Sequence, residues 1–139
     1  MSSARIRDIM SPYVIYCDED DKIPDIAQKM MENWVDTIFV RDKDGKVIGV
    51  ITDGIIWKLV AKADKNIYNY KAKDIMYKKI IMVDADRTFN NLEDLKVVIE
   101  KSPVKRVAVV SNGNIIGIIR KKFIERVKRY SRHFDVVFS

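Results

Sequence analysis

The sequence predicts an α+β fold built from two β-α-β-β-α repeats related by a pseudo-twofold axis. Three observations predict it. Arg7-Asp8-Ile9-Met10 returns as Lys73-Asp74-Ile75-Met76, 66 residues later. Lys46–Val60 (KVIGVITDGIIWKLV) returns in plan as Asn114–Val127 (NIIGIIRKKFIERV), with Gly117 standing 68 residues after Gly49. Two echoes at nearly one offset mark an internal duplication. The third observation is size: 139 residues, 47% of them hydrophobic, suit one domain or two small halves with packed interiors and exclude general disorder.

The elements follow in order. Ser11-Pro12 makes a turn, and Tyr13–Cys17 reads as a short strand. Asp18–Asp21 has the look of a metal site, but it lacks the alternating oxygen ligands, central glycine and closing glutamate of an EF-hand, and a solvated loop before a helix is simpler. Pro24 suits a first helical turn, and Ile23, Ile26, Ala27, Met30 and Met31 recur at helical spacing to about Asn33. Both methionines read as core filling. Asp36–Val40 is a strand, Arg41–Gly45 a hairpin loop with Asp44-Gly45 as its turn, and Val47–Ile51 the return strand. Ile55 to about Ala63 continues as a helix.

The second repeat keeps the order. Lys79–Val83 is a strand and Asp84–Arg87 its acidic loop. Phe89, Leu92, Leu95, Val98 and Ile99 mark a helix, and Arg106–Val110 and Ile115–Ile119 are strands around Asn112-Gly113. A last helix carries Phe123, Ile124, Val127 and Tyr130 on one side, with Lys121, Lys122, Arg126, Lys128, Arg129 and Arg132 on the other. The expected boundaries are 7–62 and 73–130 for the repeats, 63–72 for the linker and 131–139 for a C-terminal tail.

The words DIM-x-x-x-h-I, a helix, a hairpin with D-G or N-G, and G-V-I-T-D-G together resemble the CBS domain, named after cystathionine β-synthase. Two in tandem resemble a CBS pair, or Bateman module, here from about Arg7 to Tyr130 and expected to stand alone. The resemblance implies a non-catalytic regulatory module. It would hold an adenine-containing ligand such as AMP, ADP, ATP or S-adenosylmethionine in clefts between the halves and signal occupancy to a protein partner. It places the ligand against Val14, Ile15 and Tyr16 of the first strand, Thr37 and Ile38 of the hairpin, and Thr52, Asp53 and Ile55 at the strand-to-helix corner. In the second repeat it selects Ile81, Met82, Arg106, Val107, Arg120 and Lys121.

The match to the family is partial. A Thr or Ser followed three residues later by Asp handles phosphate and ribose in family members. Here Thr52 keeps the hydroxyl but Ile55 replaces the carboxylate, and the second repeat has Arg120 and Phe123. Tyr16 and Met82 replace a small polar residue of the first strand, and Phe39 and Ala108 a proline of the second. Thr52 and Asp53 also suit a plain helix-capping role. Arg106, Arg120 and Lys121 suit phosphate contacts.

Other chemistry is narrowly bounded. Cys17 is the only cysteine and His133 the only histidine, so there is no internal disulfide and there are too few soft ligands for a four-ligand zinc site, and no nucleophile elbow accompanies His133. No apolar run reaches the roughly 20 residues of a spanning helix, and MSSARIRDIM lacks an apolar signal core, so the cytoplasm is expected. The net charge of +6 favours anionic partners. A basic nucleic-acid-binding protein, using the seven cations against one acid in Arg120–Arg132, is therefore an alternative. A structural dimerisation module with vestigial clefts is another. A homodimer is expected through helix faces that include Met30, Met31, Leu95 and Ile99.

Overall fold

The computed structural model describes residues 4–126. The expected tail 131–139, the end of the second repeat, and the proposed roles of Val127, Lys128, Arg129, Tyr130 and Arg132 lie outside those residues, as does His133. In chain order the elements are β1 (Ala4–Arg5), a 3-10 turn (Ile6–Asp8), β2 (Tyr16–Asp18), α1 (Ile23–Glu32), β3 (Thr37–Arg41), β4 (Val47–Thr52), α2 (Asp53–Ala61) and α3 (Ala72–Ile75). There follow β5 (Met82–Asp84), β6 (Thr88–Phe89), α4 (Leu92–Ile99), β7 (Arg106–Ser111) and β8 (Asn114–Arg120), and residues 121–126 are helical. No helix among the described residues is long and apolar enough to cross a membrane.

The chain forms two compact units, one spanning Tyr13–Ile80 and the other joining the segment up to Pro12 with the chain from Ile81. These units cut across the repeats. Residues 7–12 open the first repeat but fold with the second, and residues 73–80 open the second but fold with the first.

In the Tyr13–Ile80 unit the sheet order is β2-β3-β4. β2 runs parallel to β3, which requires a crossover, and α1 supplies it. β3 and β4 pair antiparallel around a turn in which the Asp42 carboxylate accepts from the N–H groups of Asp44 and Lys46, both at 2.9 Å. Gly45 takes φ 82°, the left-handed value that a glycine meets without Cβ strain. Ile26 and Met30 of α1 pack with Cys17, Ile38, Val40, Ile51 and Ala72. Met31 is exposed, so only one of the methionine pair fills the core. Ala72, at the end of the linker, joins this core, and the chain just after it is held by reciprocal 2.9 Å bonds between Tyr77 and Val50.

The other unit has the same sheet order, β5-β7-β8. Its core gathers Ile6, Val83, Ala85, Leu95, Ile99, Val107, Val109, Ile119 and Ile124. Ile6 arrives from the chain start. The leading segment is sewn on by β1–β6 pairing and by reciprocal bonds between Ser11 and Ile118 at 2.8 and 2.9 Å. Leu95 and Ile99 are thus interior, as is Met30, and of the four residues expected to make a dimer face only Met31 is available.

Strand β2 is shorter than Tyr13–Cys17 because pairing with β3 begins at Tyr16 opposite Phe39. Phe89 lies in β6 opposite Ala4, not in the helix. The helix starts later because the Asn91 side chain caps it, accepting from the Asp94 N–H at 3.2 Å. The linker is ordered by the Tyr70 hydroxyl, which donates to Asp64 at 2.9 Å.

Candidate functional site

Each unit places a pair of residues where the hairpin strands end and the following helix begins. In the Tyr13–Ile80 unit the pair is Thr37 and Thr52, register partners that are both buried. The Thr37 hydroxyl donates to the Asp36 carboxylate at 3.0 Å. Thr52 occupies the N-cap position with extended backbone, yet its side chain makes no capping bond. The simple capping role therefore fails for Thr52. Asp53 opens α2, its N–H donating to the Asp36 carbonyl at 3.0 Å. Ile55 packs against the core, which accounts for an apolar residue at this position.

The remaining first-repeat positions divide between the two faces of the sheet. Ile38 is fully buried on the core face and cannot touch a ligand. Ile15 packs partly on the same core, and its carbonyl accepts from the Phe39 N–H at 2.9 Å. Tyr16 lies beneath the Arg41 guanidinium, 4.2 Å from the ring centroid, and beside Phe39. Val14 is half-buried in the extended stretch before β2. Cys17 is buried, and desolvation pushes its thiol up to about 12, so it stays protonated and unreactive at neutral pH.

In the other unit Arg106 and Arg120 are the register partners, in the places of Thr37 and Thr52. The Arg106 guanidinium donates to the Val104 carbonyl at 3.0 Å. Ser102, which sequence reasoning passed over, is buried, and its hydroxyl accepts from the N–H groups of Val104 and Arg106 at 3.3 and 3.4 Å. It fixes the loop that presents Arg106. Val107 is a core residue, and Ile81 packs on the same core. Met82 is half exposed on β5, opposite Ala108.

Lys121 does not line the cleft beside these residues. Its ammonium lies 2.6 Å from Glu100, which also raises its pKa. The cleft, of about 320 Å³, has Ile9, Met10, Ser11, Ile118 and Ile119 as walls and Arg120, Lys122, Phe123 and Arg126 as its other lining. Of the expected residues only Arg120 belongs to it. Lys122 and Arg126 were legible as one face of a helix, four residues apart. Ile9, Met10 and Ser11 were not, because they reach this cleft only through the exchange of leading segments.

The acidic run is engaged in ion pairs. Asp20 meets Lys71 and Lys73 at 3.5 and 3.2 Å, and Asp21 meets Lys29 at 3.5 Å. Among the described residues no group of three His, Cys, Asp or Glu side chains is arranged to hold a metal ion.

Comparison with known proteins agrees with this architecture. The family model described as CBS domain matches twice, at residues 6–56 and 72–122. The protein MJ1426 of Methanocaldococcus jannaschii, itself uncharacterized, is 28% identical over 84% of this chain and 86% of its own length. Hypoxic response protein 1 of Mycobacterium tuberculosis is 29% identical over 86% of this chain and 82% of its own. The CBS domain pair of protein MJ0100, solved in complex with 5'-methylthioadenosine and S-adenosyl-L-methionine, shares the fold with a TM-score of 0.73 at 21% identity, covering 94% of this chain and 99% of that one.

Proposed function

The chain belongs to the CBS-domain family as a tandem pair, and from that premise we propose that it is a non-catalytic regulatory module that senses an adenine-containing small molecule. The observation that carries this reading is the cleft beside Arg120. It combines apolar walls from Ile9, Met10 and Ile118 with the aromatic ring of Phe123 and three cationic side chains. An apolar slot suits a purine, and guanidinium and ammonium groups suit phosphate. Residues 120 and 123 are also the positions at which the family resemblance places ligand contacts. The adenosyl ligands of the MJ0100 pair support the same class of ligand.

A calorimetric panel of AMP, ADP, ATP, S-adenosylmethionine and a short nucleic acid tests this. At least one adenine compound should bind saturably, at micromolar affinity or somewhat weaker, and be recovered unchanged. Nucleic acid binding with no response to any adenine compound would favour the basic nucleic-acid reading instead. No binding at all would favour a structural module.

The reading includes a homodimer, on a surface different from the one expected. Trp34 is 94% exposed and Trp57 64% exposed, with Met31 and Val60 also outside. Ile55 and Ile56 of α2 pack partly against the core, while Trp57 and Val60 stand outside it, which leaves an apolar face suited to a second copy. Light scattering should give a dimer at high micromolar concentration. Trp34→Asp with Trp57→Asp should weaken it by about 30-fold or more, the loss expected when anchoring aromatics are removed. A wild-type monomer at that concentration would refute it.

A further inference from the structure

We propose that the cleft beside Arg120 selects ligands by their phosphate chain, and that Lys122 and Arg126 set this selectivity. The proposal rests on the adenine-ligand reading above and narrows it to a polyphosphorylated nucleotide. Arg120, Lys122 and Arg126 all line the cleft. Lys122 and Arg126 stand four residues apart in a helical stretch, so they share a face and repel each other in the free protein. An anion bound between them relieves that repulsion. The neighbouring Lys121 is held by Glu100 at 2.6 Å, whereas neither Lys122 nor Arg126 has a carboxylate partner among the described residues.

The matching corner of the first repeat differs in sign. By the offset of 68 residues, Thr52, Gly54 and Lys58 stand where the second repeat has Arg120, Lys122 and Arg126. Asp36 and Asp53 flank the first corner, and it holds one cation where the second holds three. One polyanion site per chain follows. A monophosphate engages one or two of the cations, while a triphosphate reaches all three. A sulfonium ligand brings a positive charge to a positive rim.

Calorimetry on the full chain at 0.15 M salt tests this with AMP, ATP, S-adenosylmethionine and inorganic tripolyphosphate. ATP should bind about tenfold or more tightly than AMP, at one per chain, with S-adenosylmethionine weakest. Lys122→Ala and Arg126→Ala should each weaken ATP about five- to tenfold while changing AMP less than about twofold. Both residues are exposed, so an unchanged melting temperature confirms that the variants are folded. Equal affinity for AMP and ATP, or an equal loss for both in the variants, overturns the proposal and leaves the adenine reading standing. Tripolyphosphate binding that depends on Lys122 and Arg126 without any nucleotide binding overturns the adenine reading and keeps the phosphate site. Binding of none of the four overturns both.

Discussion

Ile6→Ala should be among the most destabilising single substitutions in the chain, at about 2–5 kcal/mol. Ile6 precedes the repeat boundary expected from the sequence, yet it is fully buried in the unit whose other core residues begin at Val83. Truncating it removes apolar surface from the core and leaves a cavity that the surroundings cannot easily close. The backbone on either side is tied down, Ile6 N–H to the Arg87 carbonyl and Arg7 N–H to the Ala85 carbonyl, both at 2.9 Å. The guanidinium of Arg7 also meets Asp86 at 2.8 Å, but this pair is exposed and contributes little beside the core loss. Urea unfolding of wild type and Ile6→Ala measures the difference. A loss below about 1 kcal/mol would mean that the leading segment rests on the unit without being part of its core. Ligand affinity should fall with stability, because Ile9, Met10 and Ser11 continue from Ile6 into the cleft lining.

Element order was readable because it is written locally. The short β-branched run in Arg106–Val110, helical spacing through Ile26 and Met30, and the Asp44-Gly45 turn each specify a short conformation without reference to distant residues. What each element packs against is not written locally. Periodicity reports that Ile6 or Ile75 has an apolar environment to find, but not which sheet supplies it. The exchange of leading segments was therefore invisible, and so was the wall of the cleft made by Ile9, Met10 and Ser11. Phe89 joined the helix pattern because it stands three residues before Leu92, and only the Asn91 cap and the pairing with Ala4 separate them. Lys121 and Lys122 are adjacent in a helical stretch, so they point about 100° apart. Choosing the one that faces the cleft required knowing that Glu100 holds the other. The Thr52 and Asp53 corner was located correctly, but the absence of a capping bond from Thr52 depends on a side-chain orientation that residue type does not determine.

The two echoes that reveal the duplication prove to be two sides of one contact, and this gives the second large effect. A methyl group at Gly117 would overlap the Met10 sulfur and come within 2.9 Å of the Ser11 carbonyl oxygen. At Gly49 it would overlap the Met76 sulfur and come within 2.7 Å of its Cγ. The methionine of each DIM word thus packs on the glycine of the other repeat's strand. Replacing a strand glycine by alanine ordinarily stabilises by about 0.5–1 kcal/mol through chain entropy. Here overpacking of about 1–3 kcal/mol opposes that gain and reverses the sign. Gly117→Ala should cost more than Gly49→Ala. Its clash includes backbone, and that backbone is pinned by the reciprocal Ser11–Ile118 bonds, whereas Met76 is a flexible side chain that can shift. Shortening the methionine should rescue one site better than the other. Met76→Ala should remove most of the penalty of Gly49→Ala, while Met10→Ala should remove only part of that of Gly117→Ala, because the Ser11 carbonyl remains. Double-mutant cycles on the two pairs measure this. Additivity within about 0.5 kcal/mol at Gly49 and Met76 would show that the two residues do not touch in solution, and the packing described for the echoed words would fall with it.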